Sequence, residues 1–177
     1  MCTTTSGRAC KIQKIACCIQ QAAWIREAIT VWLAFSSMGI LAILRTHRAL
    51  TAETYTRMVI NDALPSFHAA HGDDLIFQQD NARPHVAALT LEVFGNSEIR
   101  LLNWPALSPD LNPVENMWAI ISRDVYLGHP PYDSLDELWA AITRAAAPIP
   151  QEMIDNLIRS MTSRCVRVLL NQGRRVY

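Results

Sequence analysis

The sequence has no excess of charge of either sign, because its 177 residues include sixteen lysines and arginines and sixteen aspartates and glutamates. Bulk charge therefore does not predict binding to polyanions, although a local basic surface is compatible with neutrality. Acidic residues are absent after Asp155, where five arginines follow, and composition alone favours a solvated last helix there over a phosphate-binding surface. Half of the residues are hydrophobic, which is enough for one globular domain.

The sequence also lacks the marks of a membrane, secreted or zinc-binding protein. Residues 28–44 carry no charge, but the run is shorter than the roughly 20 residues of a span and has a turn-like break at 36–39. Two buried strands joined by a turn are expected there, and no membrane association. No secretory leader is recognisable. The five cysteines include no C-x-x-C pair, and His68 and His71 have no cysteine nearby, so reduced thiols are expected rather than a zinc site.

The periodicity of apolar residues predicts strands and helices in alternation. Strands are predicted at 31–35, 40–44, 74–79 and 98–102, and helices at 11–29, 51–65, 86–94, 113–126, 134–147 and 151–171. Thr51 is expected to cap its helix, and Ser134 with Glu137 forms a capping-box pattern. This alternation is typical of the α/β class with a mixed sheet.

One segment, LIFQQDNARPH at 75–85, places a carboxylate where a predicted strand ends. An apolar run leads into Asp80, and Asn81 and His85 follow where the chain must turn. Sites in α/β proteins are usually built at such strand ends. Asp80 is therefore a candidate catalytic residue, provided that the chain supplies partners for it.

A second carboxylate follows a stiff loop, NWPALSPDLNPVENMW at 103–118. Three prolines restrict the backbone, and Asn112 is suited to the N-cap of the next helix, with Glu115 in its first turn. Glu115 at this spacing can simply complete a capping box and favour the helix dipole. The same placement also fits metal-dependent phosphoryl chemistry, which needs oxygen ligands on a rigid frame.

Taken together, QQDNARPH and WPALSPDLNPVENMW resemble the catalytic core of the Tc/mariner-type DDE transposases. Those enzymes cut and rejoin DNA with an Asp-Asp-Glu triad on an RNase H-like fold. Thirty-four residues separate Asp80 from Glu115, which is the spacing of the Tc-like branch. VWLAFSSMG at 31–39, with Leu33 where glycine is usual, and SMTSRCVRVLLNQGRRVY at 160–177 are similar to further family segments. The resemblance covers about residues 30–177.

The resemblance, together with the helix start at Asn112, assigns roles to five residues. Asp80 matches the second catalytic aspartate and Glu115 the catalytic glutamate. In the family both bind Mg²⁺ or Mn²⁺, which activates water or a 3′-hydroxyl to attack a phosphodiester. Asn81, His85 and Asn112 are expected to support the site. The plainer alternative for Asn81 and His85 is that they are ordinary turn and helix-start residues.

The first aspartate of the triad has no counterpart in the sequence. No aspartate precedes Asp62, and Glu27 is the only acid before the predicted hairpin. We therefore expect residues 1–30 to be a helical segment outside the family. Residues 31–177 are expected to form an N-terminally truncated DDE domain. The central first strand of its RNase H-like sheet should be missing or replaced.

The expected function is that of a transposase remnant, inactive for want of the first aspartate, with weak, non-specific DNA binding at best. The resemblance is compatible with a homodimer and with a nuclear or cytoplasmic location. One alternative is an active DNA-cutting enzyme that takes a third carboxylate from Glu27, Asp73, Asp74 or a second chain. Two others are a non-enzymatic interaction protein and the hardly folded product of a decayed element.

Overall fold

The structure, a computed structural model, describes residues 12–20, 29–46, 50–105, 108–127 and 132–172, with the backbone alone for the first range. Its centre is a five-stranded mixed sheet in the order β3-β2-β1-β4-β5. The strands are β1 (Ile12–Gln20), β2 (Ile29–Ser36), β3 (Gly39–Thr46), β4 (Ile76–Gln78) and β5 (Arg100–Leu101). β1, β2 and β3 pair antiparallel, whereas β1 with β4 and β4 with β5 are parallel.

Helices cover both faces of the sheet. They are α1 (Ala52–Met58), α2 (Leu64–His71), α3 (Ala88–Asn96), α4 (Pro113–Tyr126), α5 (Leu135–Ala146) and α6 (Gln151–Leu170). A π-helical segment, Val59–Ala63, joins α1 to α2, and a 3₁₀ turn, Pro109–Leu111, precedes α4. In the ranges that the structure describes, no helix is long and apolar enough to cross a membrane.

The β2–β3 hairpin shows why the uncharged run lies inside the protein. Every residue of β2 is buried, and alternate side chains enter two different cores. Leu33 packs in the core with α4, α5 and α6, whereas Trp32 packs in the core with α1, α2 and α3. A strand with helices on both faces must be apolar on both faces, so the predicted hairpin is confirmed and β2 is buried as predicted. β3, at the edge of the sheet, is only half-buried along its whole length.

β1 corrects the helix that was predicted over 11–29. Residues Ile12–Gln20 form a strand that pairs with β2 on one side and β4 on the other. Isoleucines at 12, 15 and 19 fit a helical period, but a place between two strands satisfies the backbone donors and acceptors on both sides, and that tertiary setting outweighs the local pattern. A central strand is therefore present where the sequence predicted a helix and a first strand that is missing or replaced. Residues 21–28 of the predicted helix lie outside the described residues.

Other elements follow the prediction with shifted ends. The helix expected to stop near Pro65 continues through α2, because this proline lies in the first turn of α2, where no backbone N–H is required. β4 and β5 are shorter than predicted. The expected caps are present at Thr51 and Ser134, whose side chains accept hydrogen bonds from Thr54 N–H and Glu137 N–H.

Candidate active site

Asp80 lies two residues beyond the end of β4, where the chain turns away from the sheet. One of its carboxylate oxygens, Oδ1, accepts a hydrogen bond from the Ala82 N–H at 3.1 Å. Asn81 donates from Nδ2 to the carbonyl oxygen of Trp104 at 2.8 Å, which ties this turn to the proline-rich loop. The strand end and the loop are thus held side by side.

His85 is the closest partner of Asp80. Its Nδ1 lies 2.5 Å from Asp80 Oδ1, and its side chain is completely buried. The ring of Tyr55 packs against the imidazole with centroids 4.2 Å apart. Gln79 links the two residues, since it accepts from the Tyr55 hydroxyl at 2.6 Å and donates to the His85 carbonyl at 3.0 Å. His85 is therefore part of a fixed, buried network rather than an ordinary surface turn.

Glu115 lies in the first turn of α4, as the sequence predicts. Asn112 occupies the N-cap position, but its side chain makes no capping hydrogen bond, which differs from the expected cap. Its Oδ1 is buried and has no hydrogen-bond partner in the described part of the chain. A buried amide oxygen without a partner carries a desolvation cost, and such a group points to a ligand or water that would satisfy it.

A cavity of about 280 Å³ joins these groups. Both carboxylates, Asp80 and Glu115, line it together with the amides Asn81 and Asn112. Trp104, Pro105 and Pro109 of the loop also line it. The structure therefore brings the predicted site residues to one cavity, except His85, which supports Asp80 from behind.

The two carboxylates have opposite pKa shifts. Burial is the largest influence on Asp80 and raises its pKa, but the hydrogen bond and charge of His85 and the Ala82 N–H together hold the net pKa below the ordinary value. Burial raises the pKa of Glu115, and the negative charge of Asp80 raises it further. The two partly buried carboxylates repel each other, and a cation bound between them would reduce that repulsion.

The donor set fits a hard divalent cation. Carboxylate and amide oxygens are the ligands that Mg²⁺ and Mn²⁺ prefer. Asp80, Glu115 and Asn112 offer such oxygens around one cavity, and Asn112 Oδ1 has no hydrogen-bond partner among the described residues that would compete with a cation. No cluster of three His, Cys, Asp or Glu side chains that could hold a metal occurs among the described residues.

Among the described residues, β1 supplies no third carboxylate beside Asp80. The register of β1 with β4 ends at the pair Lys14–Gln78, and continuing it by two residues along each chain would place Ala16 beside Asp80. No residue of β1 is acidic. The other acids considered from sequence do not replace it, because Asp73 and Asp74 precede β4 at its opposite end, where they pair with His68 and Arg100. Glu27 lies outside the described residues.

The sequence is similar to a known protein family and to named transposases. A family model for the DDE superfamily endonuclease matches residues 17–139. The Tc3 transposase of Caenorhabditis elegans is 34% identical over 145 residues, which are 82% of this chain and 44% of that protein. The Tcb2 transposase of Caenorhabditis briggsae is 30% identical over 151 residues, 82% of this chain and 53% of that protein. The chain thus spans about half the length of these relatives.

Solved structures show the same architecture. The catalytic domain of Mos1 mariner transposase superposes with a TM-score of 0.81 at 17% identity, covering 95% of this chain and 85% of that one. A structure of that domain with raltegravir and Mn gives the same TM-score of 0.81. The similarity confirms the RNase H-like mixed sheet. Because the family model covers more than half of the sequence, the chain belongs to the DDE superfamily endonucleases, as a catalytic core of the Tc/mariner transposase type.

Proposed function

We propose that this chain is a transposase-derived domain that binds Mg²⁺ or Mn²⁺ weakly between Asp80 and Glu115 and does not cut DNA by itself. The observation that carries the proposal is the lack of an acid in β1, the strand that pairs with β4 just before Asp80. Two-metal phosphoryl chemistry needs ligands that bridge and flank both ions, and two carboxylates with one amide supply too few. A chain can descend from a DNA-cutting enzyme and still be inactive itself.

Each residue of the site has a definite task in this proposal. A bound divalent ion would supply the activation of water or a 3′-hydroxyl toward a phosphodiester. His85 keeps Asp80 ionised and fixes the orientation of its carboxylate through the 2.5 Å contact with Oδ1. Asn81 holds the turn against the loop through Trp104, so that Glu115 on the far side of the cavity stays near Asp80.

Interaction with DNA is proposed to be weak and non-specific. The chain is formally neutral, so it lacks the general attraction that strengthens binding to a polyanion. Mos1 transposase has been solved in a pre-cleavage transpososome and in a strand transfer complex, which makes DNA the natural ligand to test. We expect affinity to fall steeply with salt, since phosphate contacts release counterions. A homodimer and a nuclear or cytoplasmic location belong to the same proposal.

Calorimetric titration with Mn²⁺ tests the proposed site. We expect weak binding by the wild-type chain and loss of that binding in Asp80→Asn, which removes the charge with little change of shape. Asp62→Asn is the matched control, because Asp62 is an exposed acid in the π-helical segment. Equal Mn²⁺ affinity in wild type and Asp80→Asn would refute the assignment of the metal site.

A further inference from the structure

Arg164 on α6 reaches across to the segment that carries Glu115. Its guanidinium donates from Nη1 to the Asp110 carbonyl oxygen at 3.1 Å and from Nη2 to Asn116 Oδ1 at 2.7 Å. Its Nε donates to Ser160 Oγ at 2.9 Å on its own helix. The two acceptors outside α6 lie on either side of Asn112 and Glu115 in the chain, so one side chain brackets the start of α4.

The contacts of Arg164 differ from those of its neighbours on α6. Arg164 is half-buried, whereas Arg159 and Arg167 are exposed. Arg159 donates to Asn156 on the same helix, which leaves the loop untouched. The rigid planar fork of an arginine suits simultaneous contact with a carbonyl and an amide, and a lysine cannot reproduce that geometry.

The start of α4 needs such an anchor, because its own cap is incomplete. Asn112 makes no side-chain capping bond. The 3₁₀ turn before it is closed by backbone bonds of 3.2 Å from Leu111 to Ser108 and 3.0 Å from Asn112 to Pro109. Hydrogen bonds from Arg164 to both ends of this segment supply a tertiary restraint where the local cap supplies none.

We infer that Arg164 is a positioning residue for the metal site. It fixes Glu115 at the cavity by tying the 3₁₀ turn and the first turn of α4 to α6. The inference rests on the proposed function, since it assumes that Asp80 and Glu115 share a cation. It gives the C-terminal helix a part in the site although Arg164 does not line the cavity.

The experiment compares Mn²⁺ affinity in Arg164→Ala, Arg164→Lys, Asn116→Ala and the double variant Arg164→Ala/Asn116→Ala, with Arg159→Ala as the matched control. We expect about a tenfold loss of affinity in each variant that breaks the anchor, which is the lower end of the range for lost supporting residues. Arg164→Lys should lose affinity too, since charge without the fork does not restore the restraint. The double variant should lose no more than Arg164→Ala alone, because Arg164→Ala already removes the contact with Asn116 together with the one to Asp110.

Amide hydrogen exchange without metal provides the second readout. In Arg164→Ala and Asn116→Ala the amides of Leu111, Asn112 and Glu115 should exchange faster, while those in the second half of α4 keep their rates. Unchanged exchange at these three amides, or wild-type Mn²⁺ affinity in Arg164→Lys, would overturn the inference. Failure of wild type to bind Mn²⁺ would refute the proposed metal site instead, and the exchange rates would still decide whether Arg164 anchors the turn.

Discussion

At the scale of residues, the main feature of the site is that the pKa values of its two neighbouring carboxyl groups are shifted in opposite directions. Asp80 is held ionised by the buried His85, and Glu115 is pushed toward its protonated form by burial and by Asp80 itself. A pair whose pKa values are driven apart by its surroundings is a common feature of functional sites. This asymmetry does not depend on a bound metal, so it can be measured on the chain alone.

His85→Phe tests the support given to Asp80. Phenylalanine keeps an aromatic ring against Tyr55 but removes the hydrogen bond and the charge at Asp80 Oδ1. Burial then acts with less opposition, so we expect the pKa of Asp80 to rise. Carboxyl ¹³C shifts followed with pH measure this, with Asp62 as an exposed reference in the same sample. An unchanged Asp80 pKa would show that His85 does not control its ionisation.

Glu115→Gln tests the raised pKa of Glu115 through stability. A carboxyl whose folded pKa lies above its unfolded value favours the folded state at low pH, and that contribution is lost as pH rises through the folded pKa. Glutamine mimics the neutral form at every pH. In metal-free protein, Glu115→Gln should therefore be more stable than wild type at neutral pH, and the difference should vanish on acidification below the ordinary glutamate value of 4.5.

Urea unfolding curves of both proteins across this pH range give the comparison. Asp80 contributes with the opposite sign in both proteins, because its lowered pKa favours folding above the ordinary aspartate value of 3.8 and loses that effect as pH falls through the folded pKa. The repulsion between Asp80 and Glu115 acts on both groups, so its removal in Glu115→Gln adds to the advantage of that variant at neutral pH. A larger advantage for Glu115→Gln at acidic than at neutral pH would contradict the raised pKa.

At the scale of elements, the decisive one is β1. β1 lies between β2 and β4, and its register, continued two residues beyond Lys14–Gln78, would bring Ala16 level with Asp80. The sheet therefore has a strand on each side of β4, and no residue of β1 is acidic. In our proposal the site lacks a carboxylate rather than a strand.

Ala16→Asp is expected to repair this deficit. Mn²⁺ affinity should rise by at least about tenfold, because a direct carboxylate ligand contributes more than the supporting residues whose loss costs about 10–100-fold. Gln20→Asp adds the same acid four residues along β1, at roughly 3.3 Å of rise per residue, too far away to join the site. Calorimetric titration of both variants makes the comparison. Equal affinities in the two variants would show that Ala16 is not the position level with Asp80.

The elements also show what the sequence could and could not predict. The β2–β3 hairpin was predictable, because an uncharged run broken by a turn fits a strand buried on both faces. β1 was not, because its isoleucines fall at a helical period and only pairing with β2 and β4 decides between the two structures. The pattern of neighbouring residues does not show which distant strands a segment will pair with.

The same limit applies to the site. Asp80 and Glu115 were predictable from a strand end, a stiff loop and their spacing. The support from Tyr55 and the anchor from Arg164 were not, because each depends on contacts across 24 or more residues that no periodicity marks. Arg164 lay in a segment that resembles the family, which was the one available signal for it.

At the scale of the whole molecule, the chain combines a transposase fold with two carboxylates at its candidate site among the described residues. Two helical layers hold the sheet, and the carboxyl end of β4 and the start of α4 meet at one cavity. The chain therefore has the fold of its family. Whether it can cleave DNA depends on whether two carboxylates are enough to bind the catalytic metal ions. Cleavage of DNA is the property that decides between an inactive derivative and an active enzyme.

The most direct measurement is nicking of supercoiled plasmid DNA by the purified chain with Mn²⁺, compared with Asp80→Ala. Our account predicts no nicking by the wild-type chain above the level of Asp80→Ala at any Mn²⁺ concentration, with both proteins shown to be folded by a cooperative unfolding transition. Mn²⁺-dependent nicking by wild type that disappears in Asp80→Ala would contradict it, because the site would then be complete without an acid in β1.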